Sequence, residues 1–515
     1  MSSRTAPLDL PIASAPEPRA GVRQWFALAV LMLPAILVSV DNTVLNFALP
    51  AISESLRPSG TELLWMIDIY PLVLAGLLVS MGSLGDRIGR RKLLLIGSIG
   101  FALVSVFAAF ATTAAGLIGA RAALGFFGAM LMPSTLSLLR SVFTNRDQRR
   151  LAIAVWASAF AAGSALGPIL GGLLLESLPW GSVFLIAVPV LLPMLILVPL
   201  LVPESKDPQP GPVDVFSILL SLLTMAPIVF GIKTLAEHGF GEPDALLAAA
   251  AIVLGIVSGV LFVRRQLRRP VPMLDMRLFR RGTFSGAVLV NLFSVIALVG
   301  ALFFVSQHLQ LVLGMSPLDA GLILVPGLVV MIVAGLAIVP IARRFSPRVV
   351  IPAALTLSAL GYGSIALTGG AVTAFGIAAA FVLLGAGIGA AETVSNELII
   401  ASAPAQKAGA ASAVSETAYE LGAVLGTATL GTILTASYRA SVVVPDGLSS
   451  EQAHAAAETL GGAVSVADAL PADLASELLE SARHAFDSGV GLAAWIGVAL
   501  IVAAGVTAAV TLRRA

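Results

Sequence analysis

Charged side chains inside otherwise apolar runs of this sequence include Asp41, Arg121, Glu392, Glu416 and Glu420. An ionisable group at bilayer depth is expensive, so it must be neutralised, paired or turned toward water. Asp41 is an acid of this kind, and one that alternates between a protonated and a paired state carries a proton. Glu416 and Glu420 stand four residues apart and share one helix face, with Tyr419 beside it. Neighbouring carboxylates repel, and either a proton or a bound organic cation relieves the repulsion. Competition between the two couples proton movement to cation movement. Glu392 and Asn396 have the same spacing, next to Glu397; Glu392 serves either transport or helix packing. Trp65, Asp68 and Tyr70 cluster near the start of another run. They read either as an interfacial belt with a hydrated acid, or as aromatic and carboxylate groups that hold a cation over a ring face. Arg121, the single Arg inside a run, needs a counter-charge, and Asp41 is a candidate.

Other chemistries lack their residues. The four histidines, His238, His308, His454 and His484, show no metal-ligand spacing, and cysteine is absent. Neither a nucleophile triad nor a phosphate-binding loop is present. The chain reads as a secondary active transporter and not an enzyme, with no cofactor and no metal.

The elements that position these groups follow from composition. Of 515 residues, 58% are hydrophobic and 11% charged, and mean hydropathy is +0.98. Soluble domains carry about 25% charged residues. A soluble enzyme is excluded, and a net charge of +1 gives no basic face for nucleic acid. Fourteen continuous apolar runs are long enough to span a bilayer, at roughly 25–47, 63–83, 93–112, 116–138, 151–175, 182–202, 215–235, 245–263, 283–307, 318–341, 349–368, 374–400, 409–436 and 489–512. They are continuous rather than alternating, which rejects a β-barrel. The tail 1–24 is polar and Pro-rich without the pattern of a cleaved leader, so the first run is expected to be a retained span.

With the N-terminus cytoplasmic, 25 of the 30 Lys and Arg fall on the inner side. Both termini are then cytoplasmic in a multi-pass protein of the cell membrane. The outer segment 437–487 holds eight acids against Arg439 and Arg483. It is expected to be a solvated acidic cap, with helical stretches at 450–460 and 471–486; the alternative is an outer vestibule that attracts cations.

The loop after the second run reads Gly82-Ser-Leu-Gly85-Asp86-Arg87-Ile-Gly89-Arg90-Arg91-Lys92, and a weaker echo at 342–348 follows the tenth. Matched positions suggest two six-span halves with spans seven and eight inserted, a transporter pattern. The expected organisation is a tail (1–24), an N-terminal bundle (25–202), a linker with two extra spans (203–281) and a C-terminal bundle (282–515). Asp86 can pair with Arg or backbone donors, bonds that must break when the halves rock. Gly163, Gly167 and Gly171 recur at every fourth position and Pro168 bends the helix, so that this run, with Gly172, is expected to form a tight seam between halves.

These features resemble the major facilitator superfamily, and within it the fourteen-span drug:proton antiporter-2 family of the QacA, SmvA and LfrA type. The resemblance covers nearly the whole chain. It rests on 40–50 (Val-Asp-Asn-Thr-Val-Leu-Asn-Phe-Ala-Leu-Pro), the 82–92 loop, Arg121 with Gly125, Gly128 and Pro133, the Gly163–Gly172 antiporter motif, Pro203-Glu-Ser, Pro272-Met-Leu-Asp275, Gln307-His-Leu-Gln310, and Glu416 to Gly422. It implies a two-bundle all-α membrane fold and proton-coupled export of lipophilic organic cations by alternating access. Quaternary ammonium compounds, dyes such as ethidium and fluoroquinolones are the implied substrates, and Arg121 is given a part in proton coupling. A monomer is expected, with protons, cationic drugs and lipid as partners. The alternative is export of a specific endogenous metabolite, lipid or siderophore. Residues 327–341 hold no acid, so dications are expected to be handled worst, and Ala187 replaces the usual Asn of the sixth span.

Overall fold

The computed structural model describes residues 20–206, 214–238, 244–270, 272, 274, 276–342, 344–368, 372–402 and 408–512. Asp275, Lys407 and residues 1–19 and 513–515 lie outside them. Lipid offers backbone groups no partners, so a chain this apolar must close its hydrogen bonds within helices; among the described residues there is no strand. In order the helices are α1 (Val22–Leu56), α2 (Gly60–Ile88), α3 (Arg90–Ala109), α4 (Ala114–Val142), α5 (Arg146–Leu175), α6 (Ser182–Leu185) and α7 (Ala187–Leu201). Next come α8 (Val215–His238), α9 (Asp244–Arg268), α10 (Gly282–Gln307), α11 (Pro317–Ala342), α12 (Pro347–Leu367) and α13 (Ala374–Ala401). The last are α14 (Ala408–Gly426), α15 (Thr432–Ser441), α16 (Ser450–Glu458), α17 (Leu460–Ala467) and α18 (Ala472–Thr511). Two π-helical segments, His308–Val312 and Thr427–Gly431, interrupt the regular pitch. Thirteen described segments are long and apolar enough to cross a membrane, and Leu166–Leu175 of α5 is a shorter apolar stretch.

Local signals set the starts. Ser59 caps α2 and Glu62 reaches back to the Ser59 N–H at 2.9 Å, two orphan donors satisfied at once. Thr113 and Thr373 cap α4 and α13, and Pro347 opens α12 behind Ser346.

Two helical groups result. In the first, α1 packs on α4, α5 and α7, while α2 and α3 pack on α4. In the second, α10 packs on α13, α14 and α18, and α12 on α13 and α18. α5 meets α11 and α2 meets α14 between them. α8 pairs with α9 and also touches α2 and α15. Small residues bring that pair close: a Cβ at Gly231 would come 2.6 Å from the Ala248 carbonyl oxygen.

The face away from residues 20–21 and 512 is closed across the groups. Gly321 lies so near Pro168 that a Cβ there would come 2.6 Å from its carbonyl oxygen. The Gly60 N–H donates to Glu458 at 3.1 Å, and Ser316 donates to Glu176 at 3.4 Å. The acidic segment 437–487 is solvated on one side only. Asp446, Glu451, Asp468, Asp473, Glu477 and Glu480 are exposed. Leu460, Ala463, Val466 and Ala467 of α17 are buried, and α17 packs on α1 and α18. Acid content masks this apolar face when the segment is read by composition.

Candidate functional site

Asp41 lies inside α1 between Pro34 and Pro50 and is 6% exposed. Its Oδ2 accepts from Arg121 Nη1 at 2.5 Å. Arg121, on α4, also donates from Nε to the Met66 carbonyl of α2 at 3.1 Å. Its guanidinium carbon lies 4.5 Å from the Tyr70 ring centroid. Three helices therefore meet on one guanidinium, and two glycines of α4 make the approach possible. A Cβ at Gly125 would come 2.6 Å from the Tyr70 carbonyl oxygen, and one at Gly128 3.3 Å from the Tyr70 hydroxyl.

The second group presents Glu416, Tyr419 and Glu420 on α14. Glu420 is fully buried, and among the described residues neither carboxyl oxygen has a hydrogen-bond partner. An orphan of this kind in a packed interior marks a group kept for something other than packing. The charges of Asp41, Arg121 and Glu420 all bear on the Tyr70 phenol, so the two groups face each other there. Glu416 and Glu392 are half-buried, and with Glu420 they bear on the Tyr419 phenol. Asn396 belongs to a packing network: its Oδ1 accepts from Asn291 Nδ2 at 3.0 Å and from Ser415 Oγ, tying α13 to α10 and α14. Between the groups lies a cavity lined by Asn42, Thr43, Asn46 and Arg121 on one side and by Met331, Tyr419 and Ala423 on the other. Apolar walls with few polar groups suit a lipophilic molecule that carries one charged or polar head.

Asp68 is completely buried, not hydrated, because α8 covers it. Lys233 Nζ of α8 stands 2.9 Å from Asp68 Oδ2, with both side chains at 0% exposure. The same ammonium lies 4.5 Å from the Trp65 ring centroid. Reading the sequence for topology counts Lys233 only as a charge outside the inner loops. Its place within the apolar run 215–235 is the signal that marks it.

In the 82–92 loop, Arg90 Nε donates to Asp86 at 2.9 Å and its Nη2 lies 2.7 Å from the same oxygen. Gly82 and Gly85 belong to the last turns of α2, and Gly85 faces Leu93. Gly89, at φ +113°, makes the turn into α3 that an L side chain would strain. Glu204 caps α3, accepting from the N–H groups of Arg91 at 2.9 Å and Lys92 at 3.2 Å. Arg91 Nη1 also donates to the Val202 carbonyl at 3.0 Å, and Arg87 is exposed. The loop is thereby anchored behind α7, in its own helical group.

The α5 glycines face a partner that differs from the expected one. A Cβ at Gly163 would come 2.7 Å from the Ile36 carbonyl oxygen, and one at Gly171 2.9 Å from Val44 Cγ2; Gly167 rests on Thr43. The stripe packs on α1, beside Asp41, while Pro168 and Gly172 on the adjoining face meet α11 at Gly321 and Leu318. Spacing identifies a close-packing stripe but not which helix fills it. His308 stands apart from the cavity lining, with Nε2 3.1 Å from the Val372 carbonyl oxygen and Nδ1 3.0 Å from Asp487. Among the described residues, no cluster of three or more potential metal ligands occurs.

The sequence profile of the Major Facilitator Superfamily matches residues 31–427. The chain is 59% identical to the multidrug efflux pump LfrA of Mycolicibacterium smegmatis, over 96% of this chain and 98% of that protein. It is 38% identical to the methyl viologen resistance protein SmvA of Salmonella typhimurium, over 90% and 93%. It is 33% identical to the tetracenomycin C resistance and export protein of Streptomyces glaucescens, over 96% and 94%. Among solved structures it resembles an inward-facing, unoccupied bacterial homolog of the human lysosomal transporter Spinster, with a TM-score of 0.65, 18% identity and 95% and 98% of the two chains covered. At that identity the likeness concerns the fold alone.

Proposed function

The chain belongs to the major facilitator superfamily, and from that premise we propose that it is a proton-coupled antiporter exporting lipophilic organic cations. Quaternary ammonium compounds and dyes such as ethidium are the leading substrates, with fluoroquinolones a further class. One observation carries the reading: the Asp41–Arg121 pair and, from the other helical group, a buried Glu420 with no hydrogen-bond partner among the described residues both bear on the Tyr70 phenol. Multidrug efflux is the activity named for the relative at 59% identity, which supports it.

In this reading fourteen spans cross the cell membrane, six in each helical group with α8 and α9 between them, and both termini are cytoplasmic. A cation enters the cavity from the cytoplasm or inner leaflet while the far face is closed. Glu416 and Glu420 receive its charge beside Tyr419. Once the outer face opens, protons reach these carboxyls and displace the cation. Asp41 releases Arg121 when it takes a proton, and the guanidinium keeps its Met66 and Tyr70 contacts. Rocking opens the α5–α11 seam, while the Asp86–Arg90 loop moves with its own helical group. The acids and Arg121 supply the chemistry, and a single chain suffices. Moving one charge costs about 2.3 kcal/mol per 100 mV. A monocation leaving an inside-negative cell therefore needs at least one proton entering.

Ethidium added to energised everted vesicles should dissipate their pH gradient in proportion to its transport. Absence of any drug-dependent proton movement would overturn the proposal. The likeness to a tetracenomycin C export protein favours a second reading, export of one endogenous metabolite. Efflux of ethidium compared with that of neutral metabolites separates the two.

A further inference from the structure

The antiport cycle leaves one buried ion pair without a task. Asp68 and Lys233 are both fully enclosed, 2.9 Å apart, on helices from different parts of the fold. Thr427, on the π-helical segment after α14, faces the same carboxylate. The surroundings of the ammonium are unusual for a structural lysine. A buried Lys carries three N–H donors, and packing normally satisfies them with directed hydrogen bonds. Here Nζ has one carboxylate oxygen at 2.9 Å and the Trp65 ring at 4.5 Å, and among the described residues no further acceptor. One negative charge and one aromatic face are how proteins recognise organic ammonium groups.

Position supports the same reading. Ile67 and Pro71 of α2 line the central cavity, so Trp65 and Asp68 occupy the next face of the same two turns. At the closed outer face a narrow cleft bounded by Gly60, Leu64, Thr435 and Lys233 reaches the lysine. The pair therefore lies between the cavity and the outer surface, where the inserted α8 meets α2 of the first helical group.

We propose that Trp65 and Asp68 form a second organic-cation site and that Lys233 is its built-in competitor, an ammonium tethered to α8 that fills the site while the outer face is closed. The site takes an organic ammonium only as Lys233 is displaced. In its transport consequence this rests on the cation-export reading: with Asp68 already neutralised, the chain has no free carboxylate there for the second charge of a dication.

Chemical complementation tests the site without transport. Purified full-length Lys233→Ala lacks a propylammonium-sized piece of the side chain. Its melting temperature should rise saturably with millimolar n-propylammonium and not with 1-propanol, while wild type and Asp68→Asn/Lys233→Ala stay unresponsive. No response in Lys233→Ala, or an equal response in the double variant, overturns the proposal. Lys233→Met keeps the stem volume without the charge. In everted vesicles it should lower the half-saturating concentration of methyl viologen at least tenfold and leave that of ethidium within twofold; an unchanged methyl viologen value overturns the competitor role. If both single variants fail to fold while Asp68→Asn/Lys233→Met folds, the pair is purely structural and the proposal falls. The melting arm reads binding alone, so it can succeed where antiport fails and fail where antiport stands.

Discussion

Protonating Asp41 leaves the Arg121 guanidinium, at 1% exposure, without the carboxylate that balances it. Leaving one member of a buried pair uncompensated costs about 3–5 kcal/mol. The protonated state is therefore one that a change of conformation relieves, which is how a proton can drive movement. Asp41→Asn fixes that condition permanently. It should abolish drug-dependent proton movement in everted vesicles and lower the melting temperature; wild-type exchange in this variant removes Asp41 from the mechanism. Asp41 and Glu420 are legible in the sequence because an acid within an apolar run has few structural uses. Their partners are not. Arg121 is 80 positions from Asp41, and no local pattern joins them. Lys233 stands two residues inside the end of its run, where a lysine normally passes for one that stretches its head to the interface.

The helices are equally legible, since a bilayer demands long continuous apolar runs and the caps at Ser59, Thr113 and Thr373 are ordinary start signals; their extents are less so, as α18 runs unbroken from Ala472 to Thr511 through the expected break at 487–488, and α1 continues to Leu56. The π-helical segments are not, because nothing in Thr427–Gly431 departs from apolar helix composition. Partner choice is hidden too, as the α5 stripe on α1 shows. The inserted α8–α9 pair has a tie that can be tested directly. Asp214 precedes α8; Arg265 of α9 donates to its carboxylate at 2.8 Å, and the Ser217 N–H does so at 3.2 Å. The Arg265 hydrogen bonds, with those of Ser217, hold the Asp214 carboxyl well below the usual carboxylate range. A depressed carboxyl contributes stability above its unfolded value, near 4, and loses it as pH falls through the folded value. The contribution should be flat from pH 5 to 8 and fade as pH falls below about 4. Asp214→Ala should cost about 1 kcal/mol at pH 7, on the scale of a lost N-cap, and less at pH 3; thermal unfolding at the two pH values reads the difference. An equal loss at both would assign the effect to packing rather than charge.

Across the whole molecule, few charges carry distinct tasks. The basic residues crowd the loops at the face that holds the described ends of the chain, and six acids of 437–487 face outward at the other. Among the described residues the interior holds Asp41 with Arg121, Asp68 with Lys233, and Glu420, whose carboxyl oxygens have no hydrogen-bond partner there. The central claim is that proton entry drives cation exit through this interior set. Purified full-length protein in liposomes tests it most directly. With a lumen more acidic than the bath, wild type should accumulate ethidium, lose that accumulation when the pH gradient is collapsed, and take up methyl viologen more slowly; Glu420→Gln should accumulate neither. Accumulation that ignores the pH gradient, or that persists unchanged in Glu420→Gln, would contradict the account.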